Sequence, residues 1–354
     1  MIGYGDRPQT RSATGLAGLI HQVHSANDKA QGVGPFRLGT LCRRLSIGLA
    51  ALIMASGCGL TSLAAVDRTD TDPVWLTDGW VYFLHQDSSD APWQIWRRRP
   101  DGSAAGLFAA VKPDPCPASA SVFLFEGSSG RLGAGYSCDF TRLDTTLVEY
   151  SADGRETTTL AIQPTARAAS WRGGPSAAYL EVLNSSCWGI VPMRNGTPSV
   201  FPAPVTLAGL SWPLDPASSA NRCDSRGISR APAVTRDGKT VYFLISAAGG
   251  AKVGQDVGSI PWRLASWVTG EPQPSIGTDV LVGASSLVLS PDDKTAAVAV
   301  DGPGGPHLLT IALATGQTKQ VGARINATGL SFSPDGKQLI ASTVEGDLTT
   351  VSPD

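Results

Sequence analysis

The sequence predicts an all-β protein: a six-bladed β-propeller of four-stranded antiparallel blades. Three observations carry that expectation. Two kinds of Gly-centred turn alternate along the chain, and short apolar runs flank nearly every turn. The composition, with 40 glycines and 25 prolines in 354 residues, favours many turns over long helices. Hydrophobic residues make up 42% of the chain, enough for a sizeable core. A formal net charge of −2 implies no basic face, so no nucleic-acid partner is expected.

The sharpest turn lies between Leu330-Ser331-Phe332 and Leu339-Ile340-Ala341, where Ser333-Pro334-Asp335-Gly336 must reverse the chain. Pro presets φ, Asp can hydrogen-bond the turn backbone, and Gly accepts the positive φ. The same kind of turn recurs at Asp78-Gly79, Asp237-Gly238 and Asp292-Asp293, with weaker versions at Ser129-Gly130 and Gly173-Gly174. A second kind reads Asp101-Gly102, Asp153-Gly154, Asn195-Gly196, Thr269-Gly270 and Thr315-Gly316. Each unit is therefore strand, turn, strand, variable loop, strand, turn, strand, which is one propeller blade. A β-sandwich could hold the same hairpins but would not need their regular alternation.

The sixth unit supplies a hairpin and a third strand around Leu348 to Val351, and then reaches Ser352-Pro353-Asp354. Its outer strand is expected from elsewhere, and residues 60–67 could pair there and close the ring.

The N-terminal region reads differently. Residues 1–41 are polar and without periodicity, as a start site assigned too far upstream would leave them. Arg43 and Arg44 then precede an apolar run from Leu45 to Ala55 and the small residues Ser56-Gly57 before Cys58. A basic stretch, a short apolar run and small residues describe a secretory signal. The last residues resemble a bacterial lipobox, which implies cleavage and lipidation at Cys58. The expected domains are 1–57 as extension and signal peptide, 58–72 as a linker with a possible closing strand, and 73–354 as the propeller. The protein is then exported and anchored to the membrane through lipid, at the outer face of the cell membrane or in the periplasm.

Ser333-Pro334-Asp335-Gly336-Lys337, Ser290-Pro291-Asp292-Asp293-Lys294 and Thr235-Arg236-Asp237-Gly238-Lys239 resemble the WD40-like repeats of TolB-type six-bladed propellers. Gln94 to Ser103 is similar to the second half of such a repeat. The likeness covers residues 73–354 and is strongest in the last three units. The motif is a folding signature, so the resemblance implies protein binding in an exported setting, not a reaction.

Four cysteines remain in the exported domain: Cys116, Cys138, Cys187 and Cys223. An even number in an oxidising compartment suggests disulfides. Both Gly turns of a blade lie on one face of the disc, while the strand 2-to-3 loops and blade connections lie on the other. All four cysteines fall on that second face, which predicts the pairs Cys116–Cys138 and Cys187–Cys223. The irregular loops share the face, so candidate binding residues are His85, Asp87, Trp93, Tyr136, Arg142, Arg222, Asp224 and Trp262.

No catalytic constellation is visible. His85 and His307 are isolated, no GxSxG elbow or phosphate loop occurs, and paired CxxC spacing for a metal is absent. No cofactor is expected. Asp67, Asp70 and Asp72 lack the spacing of a calcium loop and read as a solvated linker. Arg97-Arg98-Arg99 reads as a solvated strand edge, with Arg98 facing away from its neighbours. The expectation is a monomeric scaffold that binds a protein or cell-envelope component. The alternative is an exported lyase or hydrolase acting on a glycan or lactone in the central channel; clustered acidic, basic or histidine side chains there would favour it.

Overall fold

A computed structural model describes residues 69–353, apart from 113–119, 128–129, 138–144, 163–165, 172–177, 185–186, 195–196, 199–204, 208–209, 213–227, 247–260, 272–273 and 303. Among the described residues every regular element is a strand. Blade 1 contains β1 (Thr69–Trp75), β2 (Val81–Gln86), β3 (Gln94–Arg98) and β4 (Ala105–Ala110). Blade 2 contains β5 (Ser121–Glu126), β6 (Leu132–Ser137), β7 (Thr145–Tyr150) and β8 (Glu156–Ile162). Blade 3 contains β9 (Ala166–Trp171), β10 (Ala178–Asn184), β11 (Cys187–Arg194) and β12 (Thr197–Pro198). A hairpin of β13 (Val205–Leu207) and β14 (Leu210–Trp212) follows.

Blade 4 contains β15 (Ile228–Val234), β16 (Thr240–Ser246), β17 (Pro261–Val268) and β18 (Ser275–Ile276), with β19 (Leu281–Val282) also paired to β17. Blade 5 contains β20 (Ser286–Leu289), β21 (Thr295–Gly302), β22 (Gly305–Ala312) and β23 (Thr318–Ala323). Blade 6 contains β24 (Ala327–Phe332), β25 (Leu339–Thr343) and β26 (Leu348–Val351). All pairing is antiparallel and, apart from β17 with β19, between sequence neighbours, as the alternating turns require. The proposed closing strand, 60–67, lies outside the described residues.

The turns form as their residues dictate. In blade 6 Gly336 has φ 74° and donates its N–H to the Ser333 carbonyl at 2.9 Å. The Ser333 hydroxyl donates to Asp335 Oδ1 at 2.6 Å, and that oxygen also accepts the Lys337 amide at 3.1 Å. Thr235 with Asp237 and Ser290 with Asp292 repeat this arrangement in blades 4 and 5. Blade 5 departs from glycine because Asp293, at φ 57°, reaches across and accepts the Arg236 amide of blade 4 at 2.9 Å.

The core lies between blades rather than within one. Tyr82, Leu84 and Ile95 pack against Leu124, Ala134 and Val148 across blades 1 and 2. Phe123 and Phe125 meet Trp171 and Leu180 across blades 2 and 3, where Phe125 stacks on Trp171 at 6.2 Å. Ala233, Leu244 and Trp262 meet Leu287 and Val298 across blades 4 and 5. The ring is continued from blade 6 to blade 1 by main-chain contact: Asp70 donates its N–H to Gly346 at 2.9 Å. Arg98 adds a bond from its guanidinium to the Leu348 carbonyl at 3.0 Å.

Two expectations are corrected here. β1 begins at Thr69, so 69–72 belongs to the inner strand of blade 1 and not to a linker. Asp70 is buried and Asp72 lies deep in the molecule, so neither is a solvated linker residue. The arginine run is not a solvated edge either. Arg97 and Arg99 lie over the Trp80 ring at 4.7 and 4.0 Å, while Arg98, on the opposite face as alternation requires, braces blade 6.

Candidate functional site

The inner strands of all six blades surround an axial cavity of about 280 Å³. Their wall is mostly small and apolar, with Ala168, Ala169, Ala231, Ala233 and Val288 among its residues. The charged residues that line it are Asp72, Arg167, Glu181 and Arg230, from three different blades, together with Glu126 of β5 and Arg236 of the blade 4 turn. The sequence reading named the channel as the place to look but none of the arginines or Glu181.

Glu181 comes from β10, the second strand of blade 3, and is 2% exposed. One carboxylate oxygen accepts from the Arg167 guanidinium in a two-pronged contact. The other accepts the Ala231 amide of blade 4 at 2.7 Å. That amide is free because β15 bulges: Arg230 pairs with Leu244 and Ala233 with Tyr242, leaving one extra residue on the inner strand. Ala231 sits there at φ 51°, a left-handed conformation that costs a residue with a Cβ about 1–2 kcal/mol.

Arg230 stands immediately before the bulge. Its guanidinium lies 5.6 Å from the Trp262 ring centroid, and its Nε is buried with no hydrogen-bond partner. Burial pushes the pKa of Arg230 down; Glu181 opposes that and Arg167 adds to it. Trp262 Nε1 is a second buried donor without a partner.

Asp72 occupies the corresponding bulge of β1, between Thr71 paired with Leu84 and Val74 paired with Tyr82, at φ 54°. Its Oδ2 accepts the Leu124 amide of blade 2. Desolvation raises its pKa to about 6, and the Leu124 bond only partly offsets this. Asp72 keeps some exposure to the channel although protein surrounds it on every other side.

The residues expected on the loop face separate into three groups. Asp87 is exposed and Trp93 half-buried at that face. His85, Tyr136 and Trp262 are 3%, 5% and 1% exposed and pack inside the protein. His85 is held by Asp70 at 2.6 Å and Asp87 at 3.0 Å, one partner at each ring nitrogen. Its role is to tie β1 to β2. Arg142, Arg222, Asp224, Cys58, Cys116, Cys138 and Cys223 lie outside the described residues, and of Cys187 only its place at the start of β11 is given. His307 Nδ1 donates to the Gly305 carbonyl at 2.7 Å, and His307 does not line the channel. Among the described residues no group of three or more His, Cys, Asp or Glu side chains is arranged to hold a metal.

No family model and no curated protein matches the chain. Among solved structures, TolB from Acinetobacter baumannii superposes with a TM-score of 0.54 at 14% identity, over 78% of this chain and 61% of that one. The fold is a TolB-like propeller. A gluconolactonase from Xanthomonas campestris superposes with a TM-score of 0.50 at 12% identity, over 81% of this chain and 88% of that one. The chain thus spans less than two thirds of TolB, and identities this low establish the fold and not the function. What distinguishes this TolB-like channel is its own side chains.

Proposed function

We propose that the chain is an exported propeller that acts as a non-catalytic binding scaffold, anchored through lipid at Cys58 and taking part of a protein or cell-envelope component at its channel. The observation that carries this reading is how the channel carboxylates are used. Asp72 is committed to the Leu124 amide, and Glu181 to Arg167 and the Ala231 amide. Of this buried group, what remains for a ligand is a hydrogen-bond donor, Arg230, in a wall rich in small side chains. Such a wall fits recognition better than proton transfer. The disulfides Cys116–Cys138 and Cys187–Cys223 belong to the same proposal, as staples of the loops around the channel mouth.

Affinity capture from detergent-solubilised envelope tests the reading, comparing the wild-type chain with Ala168→Trp, which fills the channel wall. Loss of a partner with Ala168→Trp, in a variant that keeps its circular dichroism and melting transition, is the expected result. Equal recovery by both chains would remove the channel from the binding surface. A Cys58→Ser chain should leave the membrane fraction.

One observation favours a second reading, an exported lyase or hydrolase acting on a glycan or lactone. A carboxyl group with a pKa of about 6 is poised for acid–base work near neutrality. Turnover of a lactone or an acidic oligosaccharide that disappears with Asp72→Asn would establish it.

A further inference from the structure

The propeller carries an internal comparison. Val81-Tyr82-Phe83-Leu84 in blade 1 and Val241-Tyr242-Phe243-Leu244 in blade 4 are identical, and the two bulges before them share one register. Thr71 therefore corresponds to Arg230, and Asp72-Pro73 to Ala231-Pro232. Blades 3 and 6 correspond in the same way. Glu181 pairs with Ala168 and Val182 with Ala166, skipping Arg167; Ser342 pairs with Gly329 and Thr343 with Ala327, skipping Thr328. The seam between blades 3 and 4 is thus repeated between blades 6 and 1, halfway round the ring.

Shared fixtures confirm the match. Val234 donates its N–H to Ser170 at 2.9 Å, and Trp75 donates its N–H to the corresponding Ser331, also at 2.9 Å. The three positions between them differ in chemistry. Where one seam has Arg230, Arg167 and Glu181, the other has Thr71, Thr328 and Ser342. Those three hydroxyls bond each other, Thr71 to Thr328 at 3.3 Å and Thr328 to Ser342 at 2.9 Å. Neutral residues therefore suffice to join two blades at this point of the fold.

The charged seam exceeds what joining requires, and it does not balance. Two arginines face one carboxylate, and that carboxylate is already occupied by Arg167 and the Ala231 amide. Arg230 is left with a buried Nε that meets no acceptor, against an aromatic ring in a wall open to the channel. We infer that the seam between blades 3 and 4 is a carboxylate-binding subsite, in which Arg230 receives an anionic oxygen group of a ligand lodged in the axial channel. A guanidinium offers a planar fork that matches two carboxylate oxygens, and a low-dielectric wall strengthens that bond. Asp72, on the opposite blade, lines the same channel; with its pKa raised to about 6 by desolvation it sheds its charge in mildly acidic solution, which lowers the repulsion an anion would meet there. This inference rests on the channel reading above and specifies its chemistry.

Thermal unfolding at constant ionic strength tests it, with sodium acetate or sodium phosphate replacing sodium chloride. For the wild-type chain, acetate at ten times its dissociation constant should raise Tm by roughly 2–4 °C, saturably. Arg230→Thr, which installs the residue of the opposite seam, should fold and lose the response. Arg230→Lys keeps the charge without the fork and should show a weaker one. Phosphate acting equally would define a general oxyanion site rather than a carboxylate one, and would overturn the stated class. A wild-type response no larger than with chloride, or an unchanged response in Arg230→Thr, would overturn the subsite itself. Envelope capture that still depends on Ala168→Trp would in that event leave the channel reading standing, so the two failures are distinguishable.

Discussion

At the scale of single residues, the bulges hold the most informative conformations. Ala231 stands at φ 51° in the bulge of β15, where Glu181 captures its amide. Ala231→Gly removes strain of about 1–2 kcal/mol and adds chain entropy of about 0.5–1 kcal/mol. The expected net is a gain of about 0.5–1 kcal/mol, read as a higher urea midpoint at unchanged slope. Asp72 should respond to pH. Its folded pKa of about 6 lies above the ordinary aspartate value of 3.8, so the folded state holds the extra proton between those values. Stability contributed at this site is therefore highest below pH 3.8, falls as pH rises through 6, and stays low above it. Asp72→Asn keeps an acceptor for the Leu124 amide and tolerates positive φ. It should flatten that dependence and stabilise the protein at pH 7.5 by on the order of 1 kcal/mol, discounted for the exposure Asp72 keeps. A variant that loses stability equally at pH 4.5 and 7.5 would contradict this.

At the scale of strands and hairpins, the turn chemistry of the described residues was legible in the sequence, while Gly173-Gly174 and Asn195-Gly196 lie outside those residues. Ser333, Asp335 and Gly336 lie three residues apart at most, and their bonds are local, so the motif contains its own structure. Hydrogen bonding from Ser333 and the Lys337 amide holds Asp335 below the usual carboxylate range, and the same holds for Asp292 and Asp237 with their own turns. These turns should loosen only as pH falls through the lowered values, the reverse of Asp72. Strand packing was less legible. β6 reads Leu132-Gly133-Ala134-Gly135-Tyr136, a poor strand by propensity, yet its glycines let the rings of Phe125 and Phe123 lie flat against the backbone opposite them. A Cβ at Gly135 would enter the Phe123 ring. Gly135→Ala should cost about 1–3 kcal/mol by thermal unfolding. Gly106→Ala on β4, where a Cβ meets nothing within 4 Å, should be neutral or slightly stabilising and serves as the control.

At the scale of the whole molecule, the sequence showed the number of blades and pointed to a central channel, but not to the charged residues that line it. Arg167 and Glu181 meet through the pairing of β9 with β10, Arg230 joins them only where blade 4 packs on blade 3, and nothing local in the sequence marks any of the three. Two of the expected loop-face residues, Trp262 and Tyr136, border loops in sequence but their side chains turn into the seams between blades. One sequence signal could have found the site. The repeat of Val81 to Leu84 at Val241 to Leu244 aligns the two halves of the chain, and the alignment exposes Arg230 against Thr71.

That correspondence gives the most demanding test of the architecture, because the protein already holds a working neutral version of its charged seam. Arg167→Thr, Glu181→Ser and Arg230→Thr together write the blade 6–1 pattern into the blade 3–4 seam. Removing a buried charged group as a complete set is often neutral or stabilising, whereas removing one partner leaves the others uncompensated. Glu181→Ser alone abandons two arginines and the Ala231 amide, and should cost about 3–5 kcal/mol. The triple variant should recover most of that loss and match the wild-type urea midpoint to within about 1 kcal/mol. Its acetate response should be gone. A triple variant no more stable than Glu181→Ser would mean that the charges hold the ring together; recovered stability without anion response assigns them to the ligand.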